Sequence, residues 1–288
     1  MEVKNLAEVQ KSGNTNLNIV IYGDAGSGKT WLAGSAAELG RVLFIDIESG
    51  SSFLPEKYSK NIDIMRIDNI KEADDVFSEQ NIAPYNTIVI DSITEFAKKM
   101  NDHIRGGKET LTVQDWGKSI DKLETFFRRF RDLDKNCILV ALSQEREDGE
   151  ILVRRPSLSG KSLPANIVGY NDICIYLVSN KEGRTGFTHS GDKFWAKDRT
   201  GRLPEQLKGE ELTLSFIYKT CVDYHGASRL CTKEEIEGLQ KLGEQAKITE
   251  EGWVKALKFV GAKDIGALTM SQMLKLTASL EEKIKLIK

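Results

Sequence analysis

Residues 17–30 read LNIVIYGDAGSGKT. An apolar run reaches Tyr22, a glycine-rich turn follows, and a lysine–threonine pair opens the next helical pattern. The segment Gly23-Asp24-Ala25-Gly26-Ser27-Gly28-Lys29-Thr30 matches the whole G-x-x-x-x-G-K-[ST] phosphate-binding loop in the strand–loop–helix setting that the loop requires. Gly23, Gly26 and Gly28 allow backbone conformations closed to other residues, so successive N–H groups can converge on phosphate oxygens. Lys29 is then expected to reach the β- and γ-phosphates, and the Thr30 hydroxyl to hold Mg²⁺. The helix expected over Thr30–Leu39, stopped by Gly40, adds the positive end of its dipole. A chain built around this loop has to be an α/β protein that binds ATP or GTP, and the motif leaves the choice between them open.

The rest of the chain fits such a core. Continuous Val/Ile/Leu runs at Asn18–Tyr22, Arg41–Asp46, Ile62–Ile67, Thr87–Asp91, Cys137–Leu142 and Asp172–Leu177 predict strands of a parallel sheet covered on both faces. Helical patterns fall between them at Lys71–Gln80, Ser92–His103 and Val113–Leu133. In the last of these Trp116, Ile120, Leu123, Phe127 and Phe130 recur at helical spacing and are expected in the core. Arg128, Arg129 and Arg131 are expected on its solvated face. Gly-punctuated runs at Thr185–His189, Lys193–Ala196 and Glu211–Ile217 predict antiparallel hairpins at one edge of the sheet. From about Cys231 the pattern is purely helical: a capping box, Thr232–Glu235, then Lys233–Ala246, Thr249–Val260 and Thr269–Ile284, with Trp253, Leu257 and Phe259 as the expected small core. The expected division is a core over 1–228 and a helical module over 229–288.

Charge and cysteines narrow the function classes. With 41 basic against 43 acidic residues the formal charge is −2, so nucleic acid could be held only by a local patch. Cys137, Cys174, Cys221 and Cys231 form no C-x-x-C pair and read as buried hydrophobes in a reducing compartment. Cys221, His225 and Cys231 match no standard zinc spacing. The opening MEVKNLAEVQK lacks a signal-peptide apolar core and no run approaches membrane-spanning length, so the expected location is cytoplasmic.

Two further strands end in acids. TIVIDS carries Asp91, placed to hold Mg²⁺ at the same end of the sheet as the phosphate loop; capping of the following helix is its alternative role. VLFIDIE carries Asp46 and Glu48, either of which could orient and deprotonate the attacking water, with Glu95 as a rival.

In order, GDAGSGKT, FIDIESG, VIDSITEF and ALSQ resemble the RecA-type ATPase core, and the resemblance covers roughly Leu17 to Ile217. It implies that Glu48 activates water, that Asp91 binds metal and that Gln144 senses the γ-phosphate. WAKDRTGRLPE (195–205) is similar to the K-N-R-x-G-x-x-x-E element of the RadA branch, with Asp198 in place of asparagine. That implies that Lys197 and Arg199 complete a neighbouring subunit's ATP site, and hence a homo-oligomer, ring or filament. The closest resemblance is to phage-encoded RecA-like ATPases associated with single-strand annealing, which implies the cytosol of a bacterial host. Basic residues stand where that family has mobile DNA-binding loops: Arg105 and Lys108 in the first, Arg146, Arg154, Arg155 and Lys161 in the second. Such loops suit the phosphates of single-stranded DNA. Glu145, Glu147, Asp148 and Glu150 offset the charge, and aromatics are scarce in both. The helical tail resembles partner-recruiting extensions, with single-strand-binding protein as an expected partner. A nucleotide-gated scaffold with little catalysis is the competing reading; a helicase or packaging motor would need translocation elements that the sequence does not display.

Overall fold

The structure, a computed structural model, describes residues 16–67, 70–228, 231–260, 262, 264–268 and 270–287. The opening segment 1–15 and the His225 side chain lie outside the described part. The chain divides into two units, one of them Asn16–Cys221 and the other containing Val222–Lys288.

The larger unit is built on one sheet. Its strands are β1 (Asn18–Gly23), β2 (Val42–Asp46), β3 (Ile62–Arg66), β4 (Thr87–Asp91), β5 (Asn136–Asp148), β6 (Ile151–Pro156), β7 (Ile173–Asn180), β8 (Gly183–Phe187), β9 (Lys197–Asp198) and β10 (Gln206–Lys208). The spatial order is β10-β8-β7-β1-β5-β4-β2-β3, with β6 paired to β5 and β9 to β7. β7, β1, β5, β4, β2 and β3 run parallel, while β6, β8, β9 and β10 pair antiparallel. This is the mostly parallel sheet with antiparallel edges that the sequence predicts. Every residue of β2 and β4 is buried, so both faces are covered, which is why these strands are continuously apolar rather than alternating.

Helices α1 (Lys29–Gly34, continued by a 3₁₀ turn over Ser35–Glu38), α2 (Glu79–Ile82), α3 (Ile93–Arg105), α4 (Val113–Arg131), α5 (Ser162–Tyr170) and α6 (Leu214–Ser228) supply the cover. On one face Val20, Tyr22, Ile45, Ile90 and Leu139 meet Phe96 of α3, Phe126, Phe127 and Phe130 of α4 and Ile167 of α5 in a single cluster. The α4 aromatics Phe126 and Phe127 pack edge-on, with Phe96 tilted against both. α3 begins at Ser92, whose hydroxyl accepts the Glu95 N–H; α4 begins at a capping box in which Thr112 and Asp115 bond reciprocally.

Four expectations change. Trp116 is not core: it is 40% exposed, because α4 turns that side toward a cleft instead of the sheet. The run Glu211–Ile217 is not a strand. Thr213 caps a helix by accepting the Phe216 N–H, and Leu214, Ile217 and Cys221 bury a 3.6-period face that its apparent alternation disguises. Lys193–Ala196 makes only two isolated bridges, both at Phe194, to Arg154 and Gly191, and the ladder starts at Lys197. The acidic and basic stretch after Leu142 is not a loop. β5 continues to Asp148 and pairs with β6 from Ser143 opposite Pro156 to Asp148 opposite Ile151.

The second unit holds α7 (Lys233–Gln245), α8 (Glu250–Phe259) and α9 (Met270–Ile287). The Thr232–Glu235 capping box forms as expected. Its core is Cys231, Leu239, Ala246, Leu268, Leu276 and Leu280, with Trp253 and Leu257 packed against it. Phe259 is instead 80% exposed, on the last turn of α8.

Candidate active site

Parallel register brings the chemistry to one line. Gly23, the last residue of β1, pairs with Leu142; Asp91, the last of β4, pairs with Val140 on one side and with Asp46 on the other. The carboxyl ends of β1, β5, β4 and β2 therefore present the phosphate loop and three acids to the same edge, the usual place for a ligand in an open α/β sheet.

The cradle follows from the loop's backbone. Gly26 and Gly28 take φ of 75° and 97°, and the chain enters α1 at Lys29. A Cβ on Gly23 would lie 2.1 Å from the Leu177 carbonyl oxygen, so β1 can pass that close to β7 only as glycine. Lys29 is buried and its Nζ donates to the Asp24 carbonyl at 2.8 Å. Burial pulls its ammonium below the ordinary lysine range, opposed by the nearby charges of Asp91, Glu48 and Asp24. The Ser27 hydroxyl is buried and has no hydrogen-bond partner among the described residues. An orphaned hydroxyl in the phosphate loop, beside Gly23, fits a phosphate oxygen, which would satisfy it.

Thr30 Oγ1 donates to Asp91 Oδ2 at 2.6 Å, so the two residues expected at a cation are already in contact. Asp91 is 5% exposed and its carboxyl is pushed up to about 6, chiefly by burial, with Glu48 and Asp46 adding repulsion that the Thr30 hydrogen bond opposes. A buried carboxylate beside a hydroxyl, among further acids, is an oxygen donor set suited to a hard divalent cation.

The three candidate bases separate. Asp46 accepts from Gly50 N at 3.1 Å, Ser51 N at 3.0 Å and the Ser51 hydroxyl, so its oxygens are spent on folding the turn after β2. Glu95 pairs with Lys98 at 3.1 Å on the side of α3. Glu48 is exposed and, among the described residues, accepts only from the Ser92 hydroxyl, one residue beyond Asp91.

Other predicted residues lie elsewhere. Gln144 does not face the phosphate loop. Ser143 does, with its hydroxyl on Asp24; Gln144, one residue on, points to the opposite face and donates to the carbonyls of Pro156 and Leu158, each at 3.2 Å. Lys197 Nζ donates to the carbonyls of Val168, Gly169 and Asn171 at 2.7–3.1 Å, and Arg199 to Asp172 and Gly169. Both cations thus close the C-terminal end of α5, where free carbonyls attract positive charge. They sit beside the first residues of β7, at the end of the sheet away from the loop. Asp198 accepts from Thr200 N and Oγ1, Arg202 N and Leu203 N, folding the following turn; those bonds outweigh burial and lower its carboxyl. A carboxylate meets four donors there where an asparagine amide would not.

Among the basic candidates, Arg105 pairs with Asp102 on the last turn of α3, and Lys108, in the α3–α4 connection, pairs with Asp115 on the first turn of α4. Arg154 reaches Asp24 of the phosphate loop at 2.6 Å, Glu145 at 2.9 Å and the Tyr176 hydroxyl at 3.1 Å. Arg155 lies over the Trp195 ring. Among the described residues Arg146, Arg155 and Lys161 have no ion-pair partner, and of these Arg146 and Lys161 are not engaged by an aromatic ring either. They line a cleft of ≈ 460 Å³ with Lys98, Trp116, Ile120 and Gln144. Two residues that sequence reasoning passed over belong near the site: Ser143, and Arg184 of β8, which lies against Gly28.

Among the described residues no helix is long and apolar enough to cross a membrane. No curated protein matches the sequence. Among solved structures, an ATPase from the type III secretion system of pathogenic bacteria aligns over 93% of this chain and 81% of its own, at 12% identity and a TM-score of 0.43. A KaiC-like protein from Pyrococcus horikoshii OT3 aligns over 62% and 80% at 17% identity and 0.37. The assembled ATPase EscN of enteropathogenic E. coli aligns over 94% and 67% at 14% identity and 0.39. A family described as AAA domain matches residues 15–200. That span is well over half the chain and holds the whole cradle, Glu48 and the Thr30–Asp91 pair, so the chain belongs to the AAA domain family of P-loop ATPases.

Proposed function

We propose that this P-loop ATPase is Mg²⁺-dependent, acts on single-stranded DNA in phage-type homologous recombination or annealing, and works as a homo-oligomer. In this reading Lys29 and the loop amides bind the phosphates, Thr30 and Asp91 hold the cation, and Glu48 takes a proton from the attacking water. Glu48 is preferred as base because Asp46 and Glu95 are already engaged. A bound Mg²⁺ would neutralise charge on the phosphate oxygens; the side chains supply its ligands and the orientation of water.

The cleft at Trp116 carries the DNA part of the reading. An exposed indole that shares its cleft with Arg146 and Lys161 combines a stacking platform with unspent positive charge, the two elements of sequence-tolerant single-strand binding. Ser143 and Gln144 link it to the ATP site: neighbouring residues on β5, one bonds the phosphate loop and the other the segment that bears Lys161. A change at Asp24 can therefore reach the cleft through one strand.

Fluorescence anisotropy with single- and double-stranded oligonucleotides, with and without ATP and Mg²⁺ at two salt concentrations, tests this. Preference for the single strand, a steep salt dependence and about five-fold or greater loss on Trp116→Ala are expected. Indifference to Trp116 sinks the DNA assignment.

A nucleotide-gated scaffold is supported by a different observation: Val254 and Phe259 are exposed on α8, an apolar feature suited to recruiting a partner such as single-strand-binding protein. Phosphate release unchanged by single-stranded DNA would favour it.

A further inference from the structure

The β7–β8 hairpin lays an arginine on the phosphate loop that the loop motif does not include. Arg184 opposes Ser179 across the hairpin, and β7 pairs directly with β1. A Cβ built on Gly28 would lie 2.6 Å from Arg184 Nε and 2.8 Å from Cζ, so the guanidinium rests on the backbone of the loop itself. Its Cζ is 5.5 Å from the centre of the Trp31 ring, and Trp31 is the residue after Thr30. Among the described residues Arg184 has no hydrogen-bond or ion-pair partner, although it is exposed beside Glu182. Lys57, the other cation near Trp31, is paired with Glu38.

This arrangement has a chemical consequence. Cation–π attraction to an indole face uses none of a guanidinium's N–H groups, so its rim of donors stays unspent. That rim is held next to the glycine whose backbone must approach phosphate closely. Beyond it opens a cleft of ≈ 520 Å³ lined by Trp31, Glu182, Arg184, Thr185, Lys208 and Leu212.

We propose that Arg184 is a phosphate-binding residue of the ATP site, supplied in cis by the β7–β8 hairpin, with Trp31 as the aromatic neighbour that holds its guanidinium beside the loop. The proposal rests on the ATP site described above. It makes the hairpin part of that site, independently of any cation from a neighbouring subunit.

The test is calorimetric titration of the full chain with ATP and, separately, with inorganic tripolyphosphate. Arg184→Gln is expected to weaken both by about ten-fold or more, the usual effect of losing a charge-assisted hydrogen bond. Arg184→Lys should recover only part, since an ammonium keeps the charge but loses the planar fork. Trp31→Phe should fall between wild type and Arg184→Gln for both ligands. Unchanged affinity in Arg184→Gln overturns the proposal. So does a loss confined to ATP, because that would make Arg184 a contact for the nucleoside. Lys29→Ala serves as the separate control: if it binds both ligands like wild type, the phosphate-loop assignment itself is at fault.

Discussion

Glu48→Gln separates binding from chemistry at this site. The amide is nearly isosteric with the carboxylate and its oxygen still accepts the Ser92 hydroxyl, so the side chain stays where it is. It cannot take a proton. Removing a positioned general base costs roughly 10²–10⁴ in rate, or about 3–5 kcal/mol of barrier at 1.36 kcal/mol per decade. Binding should move the other way. Glu48 contributes negative charge felt by both Lys29 and Asp91, so neutralising it removes repulsion toward a polyanion. ATP affinity is therefore expected to equal or exceed that of wild type. Single-turnover phosphate release measures the first quantity and displacement of a fluorescent ATP analogue the second. A variant that hydrolyses within ten-fold of wild type refutes the role of Glu48. The base would then have to be Asp46 or Glu95, each of which must first give up the partners it holds.

Other perturbations read other parts of the argument. Gly23→Ala puts a methyl 2.1 Å from a backbone oxygen that has no flexible end to move, and should cost about 1–3 kcal/mol or more, seen as a lower unfolding midpoint together with weaker ATP binding. Thr112→Ala removes the cap of α4 and should cost about 1 kcal/mol in denaturant unfolding while leaving ATP affinity unchanged. Lys108 first, then the Thr112 donors, hold the Asp115 carboxyl well below the usual carboxylate range. A depressed folded-state pKa stabilises above the unfolded value of about 3.9, and that contribution disappears as pH falls through the folded value. Asp115→Asn should thus be less stable than wild type at pH 7, and the gap should narrow once the pH drops below about 4. A gap that stays constant between pH 7 and pH 3 would refute the linkage.

The phosphate loop and the acid-tipped strands were legible because each is a local statement. A continuous apolar run fixes a buried strand, and the residue that ends it lies at the carboxyl edge whatever the order of strands. Asp91 and Thr30 could be paired in this way before their contact was seen. Direction was harder. Ser143 and Gln144 are adjacent on β5 and must point to opposite faces, yet nothing in ALSQ says which faces the loop. The charges of residues 143–156 suit a mobile DNA-binding loop, yet β5 and β6 pair through the segment with Gly149 at φ 65° in the turn. Charge obscured a period-two pattern there, just as period two obscured a helix at Leu214.

Partners decide the fate of a cation, and partners are the least local property of all. Six basic residues had equal standing as DNA contacts on charge alone. Folding gives Arg105, Lys108 and Arg154 to carboxylates and Arg155 to an indole, leaving Arg146 and Lys161 beside Trp116. Lys197 and Arg199 likewise go to the end of α5, so action in a neighbour's site would require them to abandon helix carbonyls that they stabilise. Arg184 shows the reverse. In the sequence it is one charge in a short polar hairpin, and only the β1–β7–β8 adjacency brings it onto Gly28 with its donors unspent. The cations with most chemistry left to do are those that the fold has not already used.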